Sequence, residues 1–105
     1  LLYSIYCTDI DDSLPLRKAA REQHLGRLDI LKQQGRLLLA GPFPVIDCPD
    51  PGTTGFSGSL IVAEFKSLQA AREWAEQDPY ATSGVYVEVT VKPFFTSTPL
   101  TSQIL

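Results

Sequence analysis

"RLLLAGPFPVIDCPDPGTTGFSGSLIVAEF", residues 36–65, is the stretch whose reading decides the fold. It opens on an apolar run, 36–43, that stops at Gly41-Pro42, and it closes on a second, 59–65. Both runs are short, aliphatic and bounded by turn residues, so both read as strands. Between them, residues 44–58 hold three prolines and three glycines and cannot continue a regular element. Two strands therefore follow one another with no helix between them. A loop of this length in a small domain is expected to carry function or to move.

Outward from this pair the pattern is symmetric. Upstream, "LYSIYCT" (2–8) is rich in aromatic and β-branched residues and reads as a strand. Ser13 is placed to cap a helix, Pro15 is tolerated in its first turn, and the helical pattern runs to about Gln34, where Gly35 closes it. Downstream, Ser67 caps a second helix whose Leu68, Ala71, Trp74 and Ala75 recur at helical spacing, and Asp78-Pro79 ends it. "YATSG" is a turn or a scrap of helix, and "VYVEVTVKPFF" (85–95) is a strand with Val85, Val87, Val89 and Val91 on one face. The order β-α-β-β-α-β, with right-handed crossovers, predicts an α+β, ferredoxin-like fold: a four-stranded antiparallel sheet with both helices on one face. Residues 96–105 carry no strong signal and read as a tail or arm.

Such a sheet leaves one face uncovered. The valine face of the last strand is expected to meet the helices, leaving Tyr86, Glu88, Thr90, Lys92 and Phe94 on the other. A mixed aromatic and polar face is too apolar to stay wet and too polar for a core, so pairing of two sheets into a homodimer is expected.

The chain has 105 residues, enough for one core and too few for two. A hydrophobic fraction of 44% and a charged fraction of 20% are those of an ordinary globular domain. No apolar run approaches the roughly 20 residues of a membrane helix, and no basic-then-apolar leader precedes the first strand, so no membrane partner is expected. A net charge of −3, with no clustered Lys/Arg stripe, argues against a nucleic-acid partner. Cys7 and Cys48 lie far apart, with no C-x-x-C and only one histidine in the chain. That excludes the usual zinc spacings, so no metal is expected, and two free thiols suggest a cytoplasmic setting.

The one histidine, His24, falls inside the first helix. On a wheel at about 100° per residue centred on His24, Leu31 lies about 20° away, Ala20 and Leu28 about 40°, and Leu16 about 80°. Arg17 lies about 20° from that centre and Arg21 about 60°. Two arginines and a histidine on the inner face of a helix require counter-charges or a cavity, because a buried, unpaired guanidinium costs several kcal/mol. The bland alternative is a satisfied core histidine flanked by arginines whose stems are buried and whose heads reach water. Asp78, locked by Pro79 where the second helix ends, is the carboxylate best placed to hold a histidine nitrogen and raise its basicity. By itself it reads equally well as a helix-end turn residue.

"REQHL" (21–25), "GRLLLAGP" (35–42), "GFSGS" (55–59), "DPY" (78–80) and "GVY" (84–86) together resemble the YciI-like, or YCII-related, family over about residues 2–95. The resemblance implies a single domain over 1–95 with a dimeric α+β barrel fold, related to muconolactone isomerases. It also implies a His24–Asp78 dyad with Arg21 lining the same pocket. Family members are mostly of unknown function, and a dehydrochlorinase resembles them. Two functions fit. One is a cofactor-independent isomerase or lyase acting on a small anionic substrate, with His24 as general base or acid, Asp78 orienting it, and Arg21 and Arg17 holding the anion; Ser59 lines the pocket or merely fits the glycine-rich turn. The other is a non-catalytic dimer that binds or senses a small acid, which needs Arg21 and has no need of a tuned dyad.

Overall fold

The computed structural model describes residues 1–98. Its elements are β1 (Leu2–Asp9), α1 (Leu14–Gln33), β2 (Leu37–Pro44), a 3-10 turn (Gly52–Thr54), β3 (Phe56–Glu64), α2 (Leu68–Glu76), α3 (Pro79–Thr82) and β4 (Tyr86–Phe94). The strands form one sheet in the order β2-β3-β1-β4, every neighbouring pair antiparallel. This is the expected ferredoxin-like α+β fold.

Burial alternates along β1, as a half-covered sheet requires. Tyr3, Ile5 and Cys7, with Ile61 and Ala63 of β3, form the floor of the core, and Leu28 and Leu31 of α1 and Ala71 and Ala75 of α2 close over it. Burying a side chain such as Leu31 or Ile61 contributes roughly 1.5–3 kcal/mol. α1 ends in a Schellman arrangement. Gly35 takes a left-handed φ of 71°, its N–H donates to the Lys32 carbonyl, and the Arg36 N–H donates to that of Leu31. At the other end the expected cap is absent: Ser13 precedes α1, but its hydroxyl donates to Asp9 Oδ2 instead of accepting a helix N–H. Ser67 does cap α2, accepting from Ala70 N–H at 3.0 Å.

Two expectations are corrected. The loop is shorter than the sequence suggested, because β3 begins at Phe56 and Phe56–Gly58 belong to the sheet. Gly58 is glycine for a reason other than a turn: a Cβ there would lie 2.1 Å from the Cys7 carbonyl oxygen on β1. The valine face of β4 also fails at its start. Pairing with β1 slips between Thr8 and Asp9, so Val87 is the extra residue of a bulge and is 66% exposed, while Tyr86 turns toward the helices and packs on the core. Past the bulge the pairing places the side chains on the expected faces, although Val89 stays 37% exposed. Val89 and Val91 share a face with Cys7 and Ile5, and Glu88, Thr90, Lys92 and Phe94 share the open face with Thr8, Tyr6, Ser4 and Leu2. On that open face Tyr6 is 52% exposed and contacts Phe43, with ring centroids 5.3 Å apart. Of the expected tail, 96–105, residues 99–105 lie outside the described residues.

Candidate active site

His24 is buried on the inner face of α1, as its wheel position requires. Its Nδ1 lies 2.8 Å from Asp78 Oδ1. That same oxygen accepts the backbone N–H of Tyr80 at 2.9 Å, because Asp78 is the N-cap of α3. With the hydrogen on Nδ1, the Asp78 oxygen accepts from both donors, and in that neutral tautomer the imidazole lone pair is at Nε2. Pro79 at the first helical position sets the direction of α3, and the cap sets the carboxylate. Tyr80 follows directly and stacks on the imidazole, with centroids 3.9 Å and planes 14° apart. The ring is thus fixed in its plane by Asp78 and on its face by Tyr80.

The cavity beside it has a volume of about 340 Å³ and lies between α1 and the β2–β3 half of the sheet. Of the residues singled out in the sequence, His24, Arg17, Arg21 and Ser59 all line it, and Asp78 stands behind His24. Its remaining walls are largely apolar, including Leu25, Leu28, Pro42, Phe56 and Ile61.

The two arginines differ in kind. Arg17 is buried and forked onto Asp9, Nε to Oδ2 at 2.6 Å and Nη2 to Oδ1 at 3.0 Å. Nη2 also donates to the Gly58 carbonyl at 2.9 Å and to Ser59 Oγ at 2.8 Å. Burial works against its charge, but Asp9 outweighs that and raises its pKa above the ordinary arginine value. Arg17 is therefore first a strut of the pocket wall, with its guanidinium 5.3 Å from the Phe56 ring centroid and 4.9 Å from that of Tyr80. Arg21 is exposed at the cavity, and Lys18 joins it there. Behind the dyad, Arg27 lies over Trp74, 4.4 Å from the ring centroid; burial lowers its pKa against the pull of Asp78.

Asp9 and Tyr80 were missed in the sequence. The signal for Asp9 was the unmet charge of Arg17, which called for a counter-charge or a cavity without saying which residue supplied it. Among the described residues no group of three or more His, Cys, Asp or Glu side chains could hold a metal, and no helix is long and apolar enough to cross a membrane. Cys7 and Cys48 are both free.

The model of the YCII-related domain matches residues 1–95. The chain belongs to the YCII-related family. Protein YciI of Escherichia coli O6:H1 is 54% identical over 94 residues, 90% of this chain and 96% of that protein. An uncharacterized protein of Haemophilus influenzae is 52% identical over the same shares. Among solved structures, the 5-chloro-2-hydroxyhydroquinone dehydrochlorinase (TftG) of Burkholderia phenoliruptrix AC1100, in complex with 2,5-dihydroxybenzoquinone, superposes with a TM-score of 0.80. It is 24% identical, covers 90% of this chain and 94% of its own, and so speaks for the fold of this YCII-related chain.

Proposed function

We propose that this YCII-related chain is an acid–base enzyme, an isomerase or a lyase, acting on a small anionic substrate. One observation carries the reading. His24 is held at Nδ1 by the carboxylate that caps α3, leaving Nε2 as the free nitrogen of a residue that lines a cavity beside Arg21. In this reading Nε2 takes a proton from a carbon next to a carbonyl, and the electron pair moves onto the carbonyl oxygen, where the Arg21 charge stabilises it. The pair then returns either to accept the proton at another carbon, an isomerisation, or to expel a leaving group, an elimination. The fold likeness to a dehydrochlorinase supports the second branch. Arg17 and Ser59 shape the wall the substrate rests on, and no step calls for a cofactor.

We also propose that the chain works as a homodimer in a reducing cytoplasm. Tyr6, Leu39 and Phe94 are 52%, 41% and 39% exposed on the open face of the sheet, and a second copy would cover them. Sedimentation at micromolar concentration tests this; a single species near 11.6 kDa refutes it.

For the chemistry, a panel of small carboxylic and enolic acids is screened by thermal shift, since a ligand of the folded state raises Tm. Ligands that bind, together with 5-chloro-2-hydroxyhydroquinone, are then assayed for turnover. His24→Gln is expected to leave the fold intact and to lower turnover by roughly 10² or more. Tight binding with no turnover of any ligand, and equal binding by His24→Gln, would replace this reading with that of a small-acid binding module.

A further inference from the structure

Tyr80 is 3% exposed, yet the hydrogen of its hydroxyl is unaccounted for. Its ring lies flat on His24, and Tyr86 packs against it edge-on, centroids 5.8 Å apart. The side chain within hydrogen-bond reach of the Tyr80 hydroxyl is Arg17, which can only donate to its oxygen, and no group among the described residues accepts the hydroxyl hydrogen. Tyr80 lines the cavity together with His24, Arg17 and Arg21. The guanidinium carbon of Arg17 is 4.9 Å from the ring centroid, and the charges of both Arg17 and Arg21 reach the phenol. A buried hydroxyl hydrogen with no acceptor is destabilising unless something bound in the cavity accepts it.

We infer that Tyr80 is a second functional group of the pocket, whose hydroxyl donates to the anionic oxygen of an enol- or phenol-type substrate while its ring holds the His24 imidazole in place. This rests on the acid–base reading above and names the substrate oxygen that reading requires. Burial raises the phenol pKa, and the two arginines pull against it without reversing the direction, so Tyr80 carries its proton at neutral pH. The pocket then holds two groups of opposite role side by side. His24 accepts a proton at Nε2, and Tyr80 offers a hydrogen to the oxygen on which negative charge develops. The proton removed from carbon goes to His24 and the electron pair to the oxygen. The Tyr80 O–H bond stays intact throughout, acting as a donor next to the charge of Arg21.

Tyr80→Phe tests this, because it keeps the ring, the stack on His24 and the backbone N–H to Asp78, and removes only the hydroxyl. Binding of 2,5-dihydroxybenzoquinone, whose enol oxygens are acidic, is measured for the unaltered protein, Tyr80→Phe and Arg21→Gln. Addition of the quinone to protein labelled with 13C at the tyrosine Cζ reports on the phenol directly. Tyr80→Phe is expected to bind about tenfold or more weakly, with its ligand-free melting temperature little changed, and the Tyr80 Cζ resonance of the unaltered protein is expected to move on binding. Affinity within twofold of the unaltered protein, with weakening in Arg21→Gln, leaves the anion pocket standing and overturns the role of Tyr80. Failure of the unaltered protein to bind the quinone overturns both.

Discussion

Asp78 is the residue through which folding and chemistry can be separated by experiment. Its Oδ1 accepts from His24 Nδ1 at 2.8 Å and from Tyr80 N–H at 2.9 Å. Asp78→Ala removes both acceptor contacts. Loss of the cap costs about 1 kcal/mol. An unsatisfied imidazole N–H, on a residue 6% exposed, costs about 1–3 kcal/mol more. The total of about 2–4 kcal/mol corresponds to a fall in Tm on the order of 10–25 °C for a domain of this size. Asp78→Asn keeps an oxygen where both donors point and is itself a good cap, so only the charge is lost, at about 1 kcal/mol or less. Differential scanning calorimetry separates the two variants. Because the chain has one histidine, 15N NMR of the imidazole reads the tautomer without assignment. The unaltered protein and Asp78→Asn are expected to carry the neutral-ring hydrogen at Nδ1, and Asp78→Ala to release it. Equal melting temperatures for the two variants, or a hydrogen at Nε2 in the unaltered protein, refutes the assignment of Asp78 as the orienting group.

Three further outcomes follow from the surroundings of the site. Asp9→Asn strands a guanidinium whose side chain is 6% exposed, and a loss of about 3–5 kcal/mol is expected in a urea midpoint analysis; a loss below about 1 kcal/mol would mean that Arg17 finds another partner. Gly58→Ala pushes a methyl group against the Cys7 carbonyl and should cost about 2 kcal/mol or more, whereas Gly26→Ala, in open space on α1, should stabilise by about 0.5–1 kcal/mol. Burial pushes the Cys7 thiol from its ordinary 9.0 up to about 12. The folded protein should therefore expose one reactive thiol, Cys48, to a thiol reagent at pH 8, and the denatured protein two. Because the folded pKa is the higher one, the stability this neutral thiol contributes is complete below pH 9 and is lost as pH rises toward 12, which alkaline denaturation of Cys7→Ala against the unaltered protein will reveal.

What was legible in the sequence divides along a physical line. His24 was legible because a helix writes its buried face into a single periodic stretch. Asp78 was half-legible, since a residue before proline at a helix end has a known place but not a known neighbour. Tyr86 and Val87 were misread because a bulge is a property of two strands, and the slip against Thr8 and Asp9 leaves no mark in β4 alone. Gly58 looked like a turn glycine for the same reason, since the backbone that demands it is Cys7 on another strand. Asp9 stands near Asp11 and Asp12 in a stretch that reads as a turn, and only the pairing of β1 with both neighbours carries it under α1 to meet Arg17. These hidden contacts make the pocket rigid. Asp9 fixes Arg17, Arg17 fixes the Gly58–Ser59 wall, and the cap of α3 fixes the dyad and delivers Tyr80 onto the imidazole in the next residue. The dyad is thus built into the start of a helix. A sequence that keeps Asp78, Pro79 and an aromatic residue at 80 keeps the orientation of His24 as a consequence of folding α3.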